Sequence, residues 1–377
     1  MAKTFRVVFA GGGSGGHVYP LIAVAEAIQK MWQGVDSPLE MYYVGPSDGY
    51  EQVFGEHNVA VRPILAGKLR RYFSLANLFD VPKFFIGFFQ AMWRLYWLMP
   101  DVIFSKGGAG AFPVVVAGWW YRIPVAIHES DAKPGLNNVF SARFAKKICV
   151  SFEEAAAYFD ARKVVVTGTP VREELLRNPI APEAAKDALG FSSSHPLFLV
   201  LGGSQGSVRI NTFVLENLKP IMELAQVFHQ TGPANFTEAQ KISQAALIDA
   251  SYENRYVPMG YLDDATMRLA LSAADVVLSR SGSSISELAA FGKPMILVPH
   301  PAGSSNDHQR ANAYAFAETG AALVIEENNL FPGIFFAELK KLLTDNELRA
   351  KMSAAARNRF VVNAADAIAT EILKLAE

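Results

Sequence analysis

The sequence predicts an α/β protein of two doubly wound, Rossmann-like domains facing each other, and three observations carry that expectation. The 377 residues exceed one ordinary core, at roughly 100–200 residues per domain, and suit two. Short β-branched runs alternate with helical patterns along the whole chain, the mark of parallel sheets crossed over by helices. The two halves also open alike. Val7-Val8-Phe9-Ala10-Gly11-Gly12-Gly13 matches Leu199-Val200-Leu201-Gly202-Gly203-Ser204 in pattern, each followed by a helix.

In the first half, residues 6–9, 41–44, 102–104, 125–127, 147–150 and 164–166 read as strands. A stretch punctuated by Pro170 and Pro179 follows, and the alternation restarts at 197–201, 227–229, 255–257, 276–278, 295–298 and 322–325. The expected domains are 1–165 and 166–357. An amphipathic helix near 364–375 is expected to bring 358–377 back to the first domain.

Composition excludes several classes. Hydrophobic residues are 51% and charged residues 19%, far from the polar composition of disorder. The 35 Lys+Arg against 36 Asp+Glu leave a formal charge of -1, so no basic field draws nucleic acid. A single cysteine, Cys149, excludes an intramolecular disulfide and a thiolate zinc cluster, and no HExxH pair is present, so no metal site is expected. Residues 4–10 read as a strand running into glycines, so no export signal is expected there. Residues 81–99 are the most apolar stretch, but Lys83, Gln90 and Arg94 interrupt it and argue against a membrane span.

Gly11 to Gly16 satisfies GxGxxG between a strand and a helix, a turn that brings backbone N–H groups against a phosphate. A dinucleotide fold also wants an acidic residue closing the second strand, and Gly45-Pro46 stands there instead, so NAD is not expected. His17 follows the glycines at the helix entrance, where a general base can meet a bound hydroxyl. Gly202-Gly203-Ser204-Gln205-Gly206 puts small residues and a hydroxyl at another helix start, again suited to an anion such as diphosphate. Ser279 to Glu287 sets a polar turn after a strand, then a carboxylate. Glu287 there either accepts from ribose hydroxyls or stabilises its own helix dipole. Asp307-His308-Gln309-Arg310 opens a further helix after a Pro299-His300-Pro301 loop.

GGGSGGHVYP at 11–20, His128-Glu129, Gly168-Thr169-Pro170-Val171-Arg172, GGSQG at 202–206, Arg280-Ser281-Gly282 through Glu287 and Asp307-His308-Gln309 form one ordered set. In order and spacing, across essentially the whole chain, the set resembles the MurG family. These are the UDP-N-acetylglucosamine:undecaprenyl-pyrophosphoryl-muramoyl-pentapeptide N-acetylglucosaminyltransferases of glycosyltransferase family 28. The resemblance implies a GT-B fold with an interdomain cleft and an inverting, metal-independent, cofactor-free transfer. GlcNAc would pass from UDP-GlcNAc to the C4 hydroxyl of MurNAc in undecaprenyl-pyrophosphate-linked MurNAc-pentapeptide, in peptidoglycan synthesis that serves cell shape and division. By the same resemblance, Gly13, Ser14, Gly15 and Gly16, with Gly107 and Gly108, hold the acceptor diphosphate, and Ser14 to Gly16 border the donor as well. His17 is the first choice of general base and Glu129 the second. Asp131, Arg172, Ser204, Leu262, Ser283, Ser284, Glu287 and Gln309 bind the donor, with Leu262 meeting uracil through its backbone, Glu287 the ribose and Gln309 the GlcNAc hydroxyls.

Three positions depart from the family pattern. Ser130-Asp131 stands where Gln-Asn is usual, Gly107-Gly108-Ala109 replaces GGY, and the segment from Gly282 to Glu287 is one residue short. Two alternatives stand beside this reading: a related GT-B transferase with another lipid acceptor, which would not need the diphosphate loop kept at Gly11 to His17, and a catalytically silent nucleotide-sugar binder, supported only by Ser130-Asp131 and Ala109.

Lys68, Arg70 and Arg71 precede Phe73, Phe79, Phe84, Phe85 and Phe88, then Phe89, Trp93 and Trp97. Basic residues attract anionic head groups and aromatic rings settle at the interface, so this segment is expected to dock on an anionic membrane surface. In the family such docking is peripheral, on the cytoplasmic face of the plasma membrane.

Overall fold

In the computed structural model, which describes residues 3–12, 15–46, 49–67, 76–108, 110–203, 205–246, 255–301 and 307–377, two separate parallel sheets form. The side chains of 76–81, 245 and 246 lie outside the description.

The first unit opens with β1 (Phe5–Ala10), α1 (Gly15–Met31), β2 (Leu39–Gly45), α2 (Glu51–Glu56) and β3 (Val59–Pro63). It continues through α3 (Ala76–Leu98), β4 (Val102–Ser105), α4 (Ala111–Trp120) and β5 (Val125–Glu129). It closes with α5 (Leu136–Ser141), β6 (Lys147–Val150), α6 (Glu153–Ala156) and β7 (Val164–Val166). The strands order as β3-β2-β1-β4-β5-β6-β7. Their neighbours pair in parallel, and β4 and β5 are buried throughout because helices cover both faces. One strand, β3, was absent from the sequence expectation. It is a short edge strand that carries Arg62 and ends in Pro63, both tolerable where one side has no partner.

The second unit starts with α7 (Glu173–Leu176), α8 (Pro182–Ala188), β8 (Leu197–Leu201), α9 (Val208–Glu216) and α10 (Leu218–Leu224). Then come β9 (Gln226–Gln230), α11 (Phe236–Ala246), β10 (Tyr256–Met259), α12 (Asp264–Ala273) and β11 (Val276–Ser279). The remainder is α13 (Ile285–Ala290), β12 (Met295–Leu297), α14 (Asp307–Glu318), β13 (Ala322–Val324), α15 (Pro332–Thr344) and α16 (Asn346–Arg359). Its sheet runs β10-β9-β8-β11-β12-β13, repeating the order of the first six strands of the other sheet. Phe198, Val200, Phe213, Ile221 and Phe335 centre its core.

The chain then returns. α17 (Ala364–Ala376) packs Ile368, Ala369 and Ile372 into the first unit's core beside Val7, Phe9, Ile28 and Phe104. The units divide as Met1–Arg172 with Val361–Glu377, and Glu173–Phe360. The break thus comes after Arg172 rather than after residue 165, and the return at Val361 rather than at 358. Residues 167–172 stay with the first unit because they are tied into it. His128 Nε2 donates to the Gly168 carbonyl at 3.0 Å, and the Thr169 hydroxyl donates to Ser151 Oγ at 2.7 Å. Gly168 has φ +77, and a Cβ there would lie 2.5 Å from Val361 Cβ, so the outgoing and returning segments touch.

Helix α3 buries Gly87, Ala91 and Leu95 and exposes Phe85, Phe89, Trp93 and Trp97, a stripe at four-residue spacing. Among the described residues, no helix is long and apolar enough to cross a membrane.

Candidate active site

Each sheet changes its direction of growth once, between β1 and β4 and between β8 and β11. Loops leaving the carboxyl ends of such a strand pair diverge, and the crevice they open is where ligands of this architecture bind.

In the first unit the described residues that leave those ends are Gly11 and Gly12 after β1 and Lys106, Gly107, Gly108 and Gly110 after β4. The two backbones are in close contact: a Cβ on Gly108 would lie 2.7 Å from both Cα and N of Gly12, so no side chain fits. Gly107 and Gly108 both take positive φ, +81 and +91, which glycine alone adopts freely. A Cβ on Gly12 would come within 3.3 Å of His17 Nδ1, and one on Gly108 within 3.4 Å of Nε2. A side chain at either position would press on the imidazole, so both glycines let the ring lie close against the two backbones. Desolvation, then the charge of Lys106, holds the His17 imidazole down at about 4, so the ring is neutral near pH 7 and can take a proton. α1 begins at Gly15 with no acidic side chain in its first turn, leaving its positive end for an anion.

Glu129 ends β5 and is 3% exposed. Its Oε1 accepts from Asp131 N at 2.9 Å, while Oε2 accepts from Gly135 N at 3.0 Å and Asn138 Nδ2 at 2.9 Å. Burial, then the Asp131 charge, pushes its carboxyl up, opposed by Lys106, Asn138 and the Asp131 amide. Both oxygens are thus engaged in tying the 130–138 turn together. Arg172 lies over the Tyr19 ring of α1, 4.7 Å from its centroid.

In the second unit the described residues there are 202, 203 and 205–207 after β8 and 280–284 after β11. Gly203 and Gly206 take φ of +87 and +76, and a Cβ on Gly206 would lie 1.9 Å from the Thr231 carbonyl oxygen. Ser207 caps α9, its Oγ accepting from Ile210 N at 3.4 Å. Buried Arg280 laces the loops together. Its Nη2 donates to Ser207 Oγ at 2.7 Å and pairs with Glu327, and its Nη1 donates to the carbonyls of Val298 at 3.0 Å and Pro299 at 3.3 Å. His229 is buried beneath α9. Asn211 Nδ2 donates to the Thr231 carbonyl, so Asn211 Oδ1 accepts from His229 Nε2 at 3.0 Å and His229 Nδ1 accepts from the Tyr256 hydroxyl at 3.0 Å.

Gln309, at the start of α14, meets the Gly282 turn. Its backbone carbonyl accepts from Ser281 Oγ at 2.7 Å, and its side-chain Oε1 accepts from His300 N at 3.3 Å. Its Nε2 would be 3.9 Å from a Cβ on Gly282. Ser283 is exposed, Ser284 precedes α13 without capping it through its side chain, and Glu287 lies partly buried in the first turn of α13. Leu262 follows β10 with its side chain buried, which leaves its backbone as what a ligand can meet.

The structure therefore gathers His17, Gly107, Gly108, Glu129 and Asp131 at the first crevice. It gathers Gly282, Ser283, Ser284, Glu287 and Gln309 at the second. Gly15 and Gly16 form the entry to α1. Gly13, Ser14, Ser204, Ala109, Lys68, Arg70, Arg71 and Phe73 lie outside the described residues, as does the side chain of Phe79. On α3, Phe85 is exposed, but Phe84 and Phe88 are only partly so. Phe84 stacks on Phe112 of α4 with centroids 5.9 Å apart. Sequence reasoning passed over Lys106, Asn138 and Ser207. Ser207, three residues before an apolar position, carried a cap signal, whereas Lys106 and Asn138 matter through burial and partners that no local spacing announces. Among the described residues, no three His, Cys, Asp or Glu side chains gather so as to hold a metal ion.

Two family models match the chain: the glycosyltransferase family 28 N-terminal domain over residues 7–150 and the glycosyltransferase family 28 C-terminal domain over residues 197–368. The UDP-N-acetylglucosamine-N-acetylmuramyl-(pentapeptide) pyrophosphoryl-undecaprenol N-acetylglucosamine transferase 2 of Bacillus cereus is 37% identical over 346 residues, 91% of this chain and 93% of that protein. The transferase of the same name, without the numeral, from Legionella pneumophila is 36% identical over 363 residues, covering 94% and 95%. Among solved structures, Acinetobacter baumannii MurG superposes with a TM-score of 0.71 at 26% identity, covering 98% of this chain and 99% of that one. A UDP-GlcNAc 2-epimerase from Neisseria meningitidis reaches 0.70 at 16% identity over 98% and 100%, a likeness of fold alone.

Proposed function

The chain belongs to glycosyltransferase family 28 and has the GT-B fold, and from that premise we propose that it makes the lipid-linked GlcNAc-MurNAc disaccharide of peptidoglycan. It is a UDP-GlcNAc-dependent hexosyltransferase, and its acceptor is undecaprenyl-pyrophosphate-linked MurNAc-pentapeptide. One arrangement supports the chemistry: the His17 imidazole lies against two glycines, Gly12 and Gly108, at the entry to α1, where burial depresses its proton affinity.

The MurNAc C4 hydroxyl oxygen attacks the anomeric carbon of GlcNAc from the face opposite UDP. The new C4–O–C1 linkage forms as the C1–O bond to the diphosphate breaks, and one displacement inverts α to β. His17 takes the hydroxyl proton, a transfer worth about 10²–10⁴ in rate. The electron pair leaves on the UDP oxygen, where backbone N–H groups and helix N-termini of the 202–207 and 280–284 loops offset the developing charge. The glycines of 11–16 and 107–108 hold the acceptor diphosphate, while Glu287 accepts from the donor ribose and Gln309 contacts the GlcNAc hydroxyls.

The lipid tail of the acceptor requires a membrane. The exposed Phe85, Phe89, Trp93 and Trp97 stripe of α3, with Trp119 and Trp120 also exposed at the end of α4, supports peripheral docking on a bilayer, and we take that surface to be the anionic, cytoplasmic one by likeness to the family. The deciding experiment is transfer from radiolabelled UDP-GlcNAc to a lipid I analogue in EDTA, with UDP-GalNAc and UDP-glucose as competitors. Transfer of GlcNAc alone is expected. Donor binding without transfer overturns the acceptor assignment, and chelator-sensitive transfer overturns the metal-free mechanism.

A further inference from the structure

Lys106 stands at the junction of the first crevice and has no part in the displacement derived above. It follows β4, and its backbone N–H donates to the Ala10 carbonyl at 2.9 Å, pinning it beside the end of β1. The residue is 3% exposed. A lysine stem ordinarily carries its head to water, so a buried head needs something to hold it. Here the ammonium donates to Ser130 Oγ at 2.8 Å, on the turn that follows β5. That turn brings two carboxylates, Glu129 and Asp131, into one another's field, and the Asp131 N–H closes onto Glu129 Oε1 at 2.9 Å. Burial pulls the Lys106 ammonium below the usual lysine range, and the two acidic groups, Glu129 more than Asp131, partly offset that by favouring its charged form. Two acidic groups on one buried turn raise each other's proton affinity, as Glu129's is raised here, and a nearby cation opposes that.

We infer that Lys106 is a positioning residue of this crevice: its ammonium, bonded to Ser130, is the counter-charge that holds the Glu129–Asp131 turn in place next to the Gly107-Gly108 loop. The turn so held presents Asp131 as a group that only accepts, suited to a sugar hydroxyl or amide N–H. The substrate side of this assignment rests on the function proposed above; the charge cluster itself does not.

The test is a double-mutant cycle of Lys106→Met and Asp131→Asn, read by thermal melting and by steady-state transfer. Lys106→Met keeps the stem's volume and removes the charge. It is expected to lower the melting temperature by about 5 °C or more and to raise KM for UDP-GlcNAc about tenfold while kcat changes less. Adding Asp131→Asn to Lys106→Met is expected to restore more than half of the lost melting temperature and part of the KM. Melting losses that simply add, or a Lys106→Met enzyme indistinguishable from wild type, overturn the inference. If Lys106→Met is insoluble, a soluble double variant melting close to Asp131→Asn supports it, and an insoluble double variant overturns it. Coupled melting in a protein that transfers no GlcNAc would sink the proposed substrate and uphold the cluster.

Discussion

Glu129→Ala separates the two candidate bases. In the structure the Glu129 carboxylate is the acceptor for three donors: two backbone N–H groups, of Asp131 and Gly135, and the Asn138 amide. Alanine leaves all three without it. A buried donor stripped of its partner costs about 1–3 kcal/mol, and because the two backbone donors are only partly buried, the lower half of that range applies. Three such losses come to about 3–6 kcal/mol, a large share of the roughly 5–15 kcal/mol that holds a domain folded. For a unit of this size the melting temperature should fall about 10–20 °C. Glu129→Gln keeps one oxygen and turns an N–H₂ toward a donor, so it should lie between alanine and wild type. The assay is differential scanning calorimetry beside kcat and KM for donor and acceptor, with activity measured well below the lowered transition. An alanine variant that melts within 2 °C of wild type, by the same magnitudes, yet loses about 10²-fold or more in kcat would refute this reasoning and make Glu129 the base.

His17→Ala should cost about 10²–10⁴ in kcat with little change in stability. Because the base must be neutral and its proton affinity is depressed to about 4, wild-type kcat/KM should stay level as pH falls from 8 and drop only near that value; a limb at the ordinary histidine position, about 6.5, would contradict the site geometry. Gly206→Ala would drive a Cβ into the Thr231 carbonyl and force φ +76 on a residue that resists it, so KM for UDP-GlcNAc should rise about tenfold or more with the acceptor KM unchanged. Serine at Phe89, Trp93 and Trp97 together should release the protein from anionic vesicles in co-sedimentation, whereas Phe84→Ser should chiefly lower the melting temperature, since Phe84 stacks on Phe112.

The interior strands were legible because parallel strands covered on both faces must be continuous apolar runs, as in Val102 to Phe104 or Leu197 to Leu201, and the edge strands β7, β10 and β13 because they still carry short apolar or β-branched runs. β3 was not, since an edge strand is free to carry Arg62 and Pro63. The glycine loops were legible for a related reason: positive φ and backbone contact leave no choice of residue at Gly108 or Gly206. On α3, composition announced an aromatic surface, but its phase depends on which side meets Leu65 and α4, and so Phe89 rather than Phe88 faces out. Lys106 was silent in the sequence. Its meaning arises from a hydroxyl twenty-four positions away, and no local pattern encodes a partner at that distance.

The returning helix α17 sets an order of events during synthesis. Ile368, Ala369 and Ile372 complete a core whose other members, Val7, Phe9, Ile28 and Phe104, leave the ribosome before any of the second unit is made. The first unit must therefore wait, with an apolar face uncovered, while the second is translated and free to fold. Its longest-range contacts close last, which slows its maturation and exposes it to chaperones and proteases for that interval.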